Sequence, residues 1–235
     1  AALDEAMQGR GLKHENVVSV FSVMLATPEN TPASLPNLDM IILINMEFLQ
    51  GGSLDNFLTG QPNQLELALS FFEQVLRGLA YLHSKKIIHR DIKPGNVVLD
   101  ADMVTAKIVD FGLCRELQTM AGGLQTLHAA GTPWYMPQEQ HEQGHGSAVD
   151  VFAAALLLYA LLIGKHPPRP EDRNTVEGIN SLVGVVRGRM EECGLEAGLA
   201  SSLFGDCISL NPGGRPAAAS VPVLFGNTTL HFHLL

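Results

Sequence analysis

Apolar positions along the chain follow two patterns, and they change over about a third of the way in. Residues 3–12 have helical spacing interrupted by Gly9 and Gly11, which are poor helix formers. Val17–Leu25 is rich in β-branched and aromatic residues and predicts a strand. TPENTPASLPN at 27–37 holds three prolines and predicts a loop. Met40–Phe48 is almost continuously apolar and predicts a buried strand, broken by Gly51-Gly52. Leu65, Leu69, Phe72, Leu76 and Leu79 then recur at spacings of three and four, the stripe of a one-faced helix. Ile87-Ile88, Val97–Leu99 and Ala106–Val109 are short apolar runs between turns and predict small strands. Residues 112–145 show little periodicity and predict a long irregular segment. From 147 onward the apolar runs are helical in length, broken by HPPRP at 166–170 and NPGGRP at 211–216. Strands first and helices after is an α+β pattern.

Composition narrows the class. A chain of 235 residues suits one large domain or two small ones and can bury a sizeable core. With 46% apolar and 17% charged residues it is not a disordered chain. Its net charge of −9 argues against sequence-independent nucleic-acid binding, which needs a basic face. Cys114, Cys193 and Cys207 are odd in number and form no C-x-x-C pair. Reduced thiols in an intracellular compartment are therefore expected, rather than a disulfide framework or a zinc site. The most apolar run, Val151–Gly164, is shorter than the roughly 20 residues that span a bilayer and predicts a fully buried helix. The N-terminus shows no secretory signal. No internal repeat is visible. The first residue is Ala1 rather than Met, so either the N-terminus was processed or the chain begins inside something larger.

The chemistry concentrates in IIHRDIKPGNVVLD, Ile87–Asp100. It places Asp91, Lys93 and Asn96 on a tight loop between short strands. AKIVDFGL follows, with Asp110 ahead of Phe111-Gly112. A carboxylate at Asp91 can orient a hydroxyl or accept its proton. Lys93 can neutralise a phosphoryl group in flight. Asn96 and Asp110 offer hard oxygen ligands that suit Mg²⁺ on substrate phosphates. The set matches phosphoryl transfer, where catalysis is mostly positioning and charge stabilisation.

On these residues the chain resembles the eukaryotic protein kinase family. His89-Arg90-Asp91, Lys93-Pro94 and Asn96 match its catalytic loop, and Asp110-Phe111-Gly112 its magnesium loop. The resemblance covers roughly residues 3–220. It implies a bilobal fold, with a partial small β lobe over 1–49 (regulatory helix, two or three strands, hinge) and a mainly helical large catalytic lobe over 50–235. It implies ATP and Mg²⁺ as cofactors and a protein substrate with a Ser/Thr acceptor. Met46-Glu47-Phe48-Leu49 is similar to the hinge. Met46 is then the gatekeeper, the Glu47 and Leu49 backbone holds adenine, Val98 packs beneath it, and Ser53 joins the cofactor-binding set. Gly131-Thr132-Pro133 is similar to the end of the activation segment. Lys93 and Thr132 together imply Ser/Thr rather than Tyr acceptors.

The resemblance also implies structural roles. Glu139 pairs with Arg215, and Asp150 bonds the catalytic-loop backbone. His89 is a core hydrogen-bonder rather than a base. Glu5 takes the place of the regulatory-helix glutamate that pairs with the ATP-binding lysine. Arg90 is placed to read a phosphorylated residue, with Thr119 and Thr126 as candidates and His128 where many relatives carry Ser or Thr. His141 and His145 are four apart, but the glycines flanking His145 argue against a helical metal pair.

Three departures stand out. Pro137-Gln138-Glu139 replaces the family's Ala-Pro-Glu. Gly9 lies where the family has an apolar residue. No glycine-rich phosphate loop and no strand with the ATP-anchoring lysine precede the regulatory helix, which implies an N-terminally truncated domain with little or no activity by itself. The leading expectation is a Ser/Thr protein kinase catalytic domain. The alternatives are a pseudokinase acting as scaffold or regulator, and a small-molecule phosphotransferase. Lys93, Thr132 and the Glu139/Arg215 match weigh against the last. The expected location is cytoplasmic, or beneath a membrane if the parent is anchored. Oligomeric state is left open.

Overall fold

The computed structural model describes residues 9–26, 41–58, 65–110, 115–116, 133–141, 146–192 and 204–221. Strands β1 (Val20–Ala26) and β2 (Ile41–Met46) form an antiparallel pair, in register from Ser22↔Asn45 to Ala26↔Ile41. β3 (Gly52–Ser53), β5 (Val97–Leu99) and β6 (Ala106–Ile108) make a second antiparallel sheet with β5 in the middle. β4 (Ile87–Ile88) pairs with β7 (Arg115–Glu116). Helix α1 (Leu54–Leu58) follows β3, and α2 (Leu65–Ser84) leads into β4. After the strands come α3 (Ala148–Ile163), α4 (Pro170–Arg173) and α5 (Val176–Glu192). An α+β fold is what the order of patterns predicts.

α2 buries the stripe read from its spacing. Leu69, Phe72, Leu76 and Leu79 all lie inside, joined by Phe71, Val75 and Leu82. Burying each such side chain contributes about 1.5–3 kcal/mol. α3 is inside on every face, because α2 and α5 both pack on it. It ends at Gly164, whose φ of +72° lets the chain turn left-handed while its N–H bonds the Ala160 carbonyl at 2.8 Å. Gly78 lets the segment before β1 approach α2. A Cβ there would stand 2.7 Å from the Asn16 carbonyl oxygen. Asn16 and Val18 in turn bond the Ile108 backbone, which extends the β6 edge.

Two expectations need correction. The apolar run at 40–48 supplies β2, yet its described side chains, from Leu43 onward, are not buried. Leu43, Ile44 and Met46 are about two-fifths exposed, and Phe48 is 83% exposed. Among the described residues β2 is hydrogen-bonded to β1 alone, and any contact it makes with a helix is slight. The second concerns the helical spacing of 3–12. Residues 9–12 form turns and a bridge from Arg10 to Val20, with Gly11 at φ +82°. Residues 1–8 lie outside the described set, as do Cys114 and Cys193. Cys207 is a free, buried thiol that burial pushes up to about 12, so it stays protonated at neutral pH.

The chain after α5 is tied back by Arg215. Its guanidinium donates to both Glu139 carboxylate oxygens and to the Ser209 and Ala148 carbonyls, and it lies over the Phe152 ring. The Arg215 side chain is 1% exposed. Removing one partner of such a pair leaves an uncompensated buried charge. Glu139→Ala is expected to lower stability by about 3 kcal/mol. Thermal melting of the variant checks this, and an unchanged Tm contradicts it.

Candidate active site

The loop after β4 has no regular structure of its own, so its backbone needs partners elsewhere. Asp150, on the first turn of α3 and fully buried, supplies them. Its Oδ2 accepts from the His89 N–H at 2.9 Å and its Oδ1 from the Arg90 N–H at 2.7 Å. His83 Nε2, at the end of α2, sits 2.8 Å from the same carboxylate. Burial alone would raise the Asp150 pKa, but the His83 hydrogen bond, the two histidines and the Arg90 N–H outweigh it and hold the pKa below the ordinary carboxylate range. Arg90 takes φ +71°, a left-handed conformation that is uncommon outside glycine.

His89 is wholly buried. Its Nδ1 accepts from the Asp91 N–H at 3.3 Å, so its proton sits on Nε2, which donates to the Val109 carbonyl at 3.0 Å. The ring therefore bridges the loop to the residue before Asp110. A second bridge runs beside it, from the Val109 N–H to the Asn96 carbonyl at 3.0 Å. Gln140 holds the loop from the other side, donating to the Arg90 carbonyl at 2.8 Å.

Asp91, Lys93 and Asn96 converge. Asp91 Oδ2 receives Lys93 Nζ and Asn96 Nδ2, both at 2.7 Å. Asn96 Nδ2 also donates to the Asp91 carbonyl at 2.8 Å. The one-turn helix Pro94–Asn96 brings Asn96 back over the loop. Two donors on one oxygen fix the carboxylate and leave Oδ1 for an incoming hydroxyl. With its amide hydrogens turned to Asp91, Asn96 keeps its Oδ1 for a cation. Asp110 is exposed at φ +66°, past the end of β6. Among the described residues no three His, Cys, Asp or Glu gather as a metal cluster. Two hard oxygens completed by substrate phosphates is nevertheless how Mg²⁺ is usually held. The donor set fits that ion.

The residues expected to hold a nucleotide fall on the end of β2 and on the β3–β5–β6 sheet. Met46 ends β2, and Glu47 and Leu49 follow it. Ser53, Val98 and Lys107 are cross-strand neighbours on β3, β5 and β6, and so share a face. Val98 is half-buried between the buried Val97 and Leu99 of the opposite face. The Glu47 N–H donates to the Ser19 carbonyl at 3.0 Å, which leaves its own carbonyl as an acceptor. Glu5, Phe111, Gly112 and Thr132 lie outside the described residues, as do Thr119, Thr126, His128 and His145. His141 is placed by its backbone only.

Sequence reasoning missed His83, Gln140, Lys107 and Arg173. Arg173 is 1% exposed, burial brings it down to about 10, and it donates to the Met136 and Pro168 carbonyls. Each acts on main-chain atoms or on one distant charge, and nothing in local spacing reports that. Tyr135 OH, bonded to His166 Nδ1 at 2.9 Å, is another such contact.

A carboxylate shared by a lysine and an asparagine, in a loop bonded to the residue before a second aspartate, is an arrangement suited to phosphoryl transfer. The protein kinase domain family matches residues 1–221, and the chain belongs to that family. It is 36% identical to a calcium/calmodulin-dependent protein kinase kinase of Caenorhabditis elegans, over 66% of this chain and 27% of that protein. It is 34% identical to the serine/threonine-protein kinase par-4 of Caenorhabditis briggsae, over 67% and 24%. It is 42% identical to the interferon-induced, double-stranded RNA-activated protein kinase of Rattus norvegicus, over 52% and 24%. The chain thus spans about a quarter of the length of these curated relatives.

Asp150 gives a prediction with a definite sign. Its pKa is lowered in the folded state, so its contribution is present above the ordinary value of 3.8 and lost as pH falls through the lower folded value. An Asn there presents an NH₂ toward one of two backbone N–H groups. Asp150→Asn is expected to cost about 3 kcal/mol at pH 7. Urea unfolding at pH 7 and near pH 3 should show the gap to wild type narrowing in acid. A gap independent of pH contradicts the assignment.

Proposed function

We propose that this chain is the catalytic part of an ATP-dependent protein serine/threonine kinase. The observation that carries the reading is the single Asp91 oxygen held by Lys93 and Asn96, in a loop bonded through Val109 to the approach to Asp110. The relatives named serine/threonine kinases support the acceptor class, and the match of Lys93 and Thr132 to that type supports it further.

In this reading residues 1–49 belong to the small lobe and 50–235 to the large one, and the nucleotide lies between them. The Glu47 carbonyl and the Leu49 backbone take the adenine edge. Met46 bounds the pocket behind it, Val98 lies under the ring and Ser53 flanks the sugar. Asp91 Oδ1 orients the acceptor hydroxyl and takes its proton late, when the oxygen–phosphorus bond is forming. Lys93 stays paired to Asp91 and turns its charge toward the transferring phosphoryl group. Mg²⁺, when bound, neutralises phosphate charge; Asn96 Oδ1 and the Asp110 carboxylate are the chain's ligands for it. Phe111 and Gly112 continue the metal-binding loop. For Thr132 and Glu5, which lie outside the described residues, the reading rests on the family resemblance alone, which implies contact with Asp91 and Lys93 for the one and pairing with the ATP-anchoring lysine for the other. Arg90 remains the candidate reader of a phosphorylated segment.

The partner is a protein substrate carrying Ser or Thr. No described helix is long and apolar enough to cross a membrane.

In the protein that carries this chain, Asp91→Asn is expected to lower kcat about a thousandfold and leave the KM for ATP within about twofold. Initial rates on Ser, Thr and Tyr peptides check both the base and the acceptor class. Retained turnover, or transfer to Tyr alone, overturns the reading.

A further inference from the structure

One contact near the hinge has no part in the roles assigned so far. Lys107, in the middle of β6, extends its Nζ to 2.7 Å from Glu47 Oε2. Both side chains are largely enclosed, at 13% and 21% exposure. The other carboxylate oxygen, Oε1, accepts from the Ser19 N–H at 2.6 Å, and the Glu47 N–H returns a bond to the Ser19 carbonyl. Burial alone would raise Glu47, but Lys107 and the Ser19 N–H outweigh it and hold it below the ordinary glutamate range. Glu47 is therefore charged and tied to two separate segments, the entry to β1 and the middle of β6.

β6 is also the strand that leads to Asp110, and its neighbours are fixed. Ile108 bonds Asn16 and Val18, and Val109 bonds Asn96. A shift of the 47–49 backbone relative to β6 has to break the Lys107 contact. We propose that Lys107 is a positioning residue that locks the hinge to β6, setting the adenine-binding backbone at a fixed separation from the metal-binding Asp110. A nucleotide has a rigid base at one end and a metal-bound phosphate tail at the other, so a hinge held at that separation binds both together. The inference rests on the kinase reading for its consequence but not for its geometry.

Three variants test it in the protein as it exists. Lys107→Met removes the charge and keeps the stem. Lys107→Arg keeps the charge and the reach. Glu47→Gln keeps the acceptor to Ser19 and loses the charge. The first readout is amide hydrogen exchange at Ser19 and Glu47, which needs no catalysis. Exchange is expected to quicken at least tenfold in Lys107→Met and Glu47→Gln, and to stay near wild type in Lys107→Arg. The second is kinetic. The KM for ATP should rise about tenfold in Lys107→Met, while kcat and the KM for the protein substrate stay within about twofold, with Lys107→Arg restoring the ATP value. Unchanged exchange overturns the lock even if the protein transfers phosphate normally. Changed exchange with no ATP turnover in wild type retains the lock and overturns the kinase reading instead. A loss confined to kcat, or a faster enzyme, contradicts the positioning role.

Discussion

A carboxylate with no exposure to water is an expensive object, and the described parts of this fold are arranged around one. Asp150 sits at the start of α3, where isolated burial of its charge would cost several kcal/mol. It stays ionised because two backbone N–H groups and His83 face it. Those N–H groups belong to His89 and Arg90, so compensating the charge and shaping the loop are one event. The left-handed turn at Arg90, a conformation that costs roughly 1 kcal/mol or more, is held by the same bond. α3 can anchor the loop because it is enclosed on every face, with α2 and α5 packed against it.

From that anchor, order passes along main-chain contacts. His89 carries it to Val109 through its ring, and Asn96 carries it to Val109 through its carbonyl. The loop bearing Asp91 and the strand leading to Asp110 thereby become one piece. Asp91 is then aimed by Lys93 and Asn96. Each of the three side chains has a neighbour that determines its rotamer, which is what positioning catalysis requires. Val98 and Ser53 belong to the same small sheet, so the face expected beneath a nucleotide shares its strands with the approach to Asp110.

Much of this was legible in the residues. The helix at 65–84, the three short strands and the buried helix at 148–163 followed from spacing and run length alone. The residues brought to one carboxylate at Asp91 were read from a single stretch of 14 letters, because a tight loop leaves neighbours in sequence as neighbours in space. What spacing did not carry were contacts between distant segments. Lys107 is a solvent-facing position by alternation, and only the fold shows that Glu47 covers it. β2 was misread as buried for the opposite reason. Its composition is that of a core strand, but burial depends on what lies against both faces, and sequence periodicity reports one chain segment at a time.

The charged residues enclosed in the interior point to a common device. Asp150, Arg173 and Arg215 are all buried, and all three surround the first turns of α3. Both guanidinium groups lie over the Phe152 ring, at 5.9 and 4.7 Å from its centre. Asp150 binds the backbone N–H groups of His89 and Arg90 in the loop after β4. Arg173 binds the carbonyls of Met136 and Pro168, and Arg215 binds those of Ser209 and Ala148 together with Glu139. Helices and strands satisfy their own backbone groups, but the segments that carry this chemistry are irregular and cannot. A charged side chain makes stronger bonds to a peptide group than a neutral one does. An anion for donors and two cations for acceptors therefore fasten irregular backbone around the first turns of a helix that is otherwise almost wholly apolar. Exchanging them for hydrophobic residues of equal volume would fill the space and still leave those loops without a fixed path.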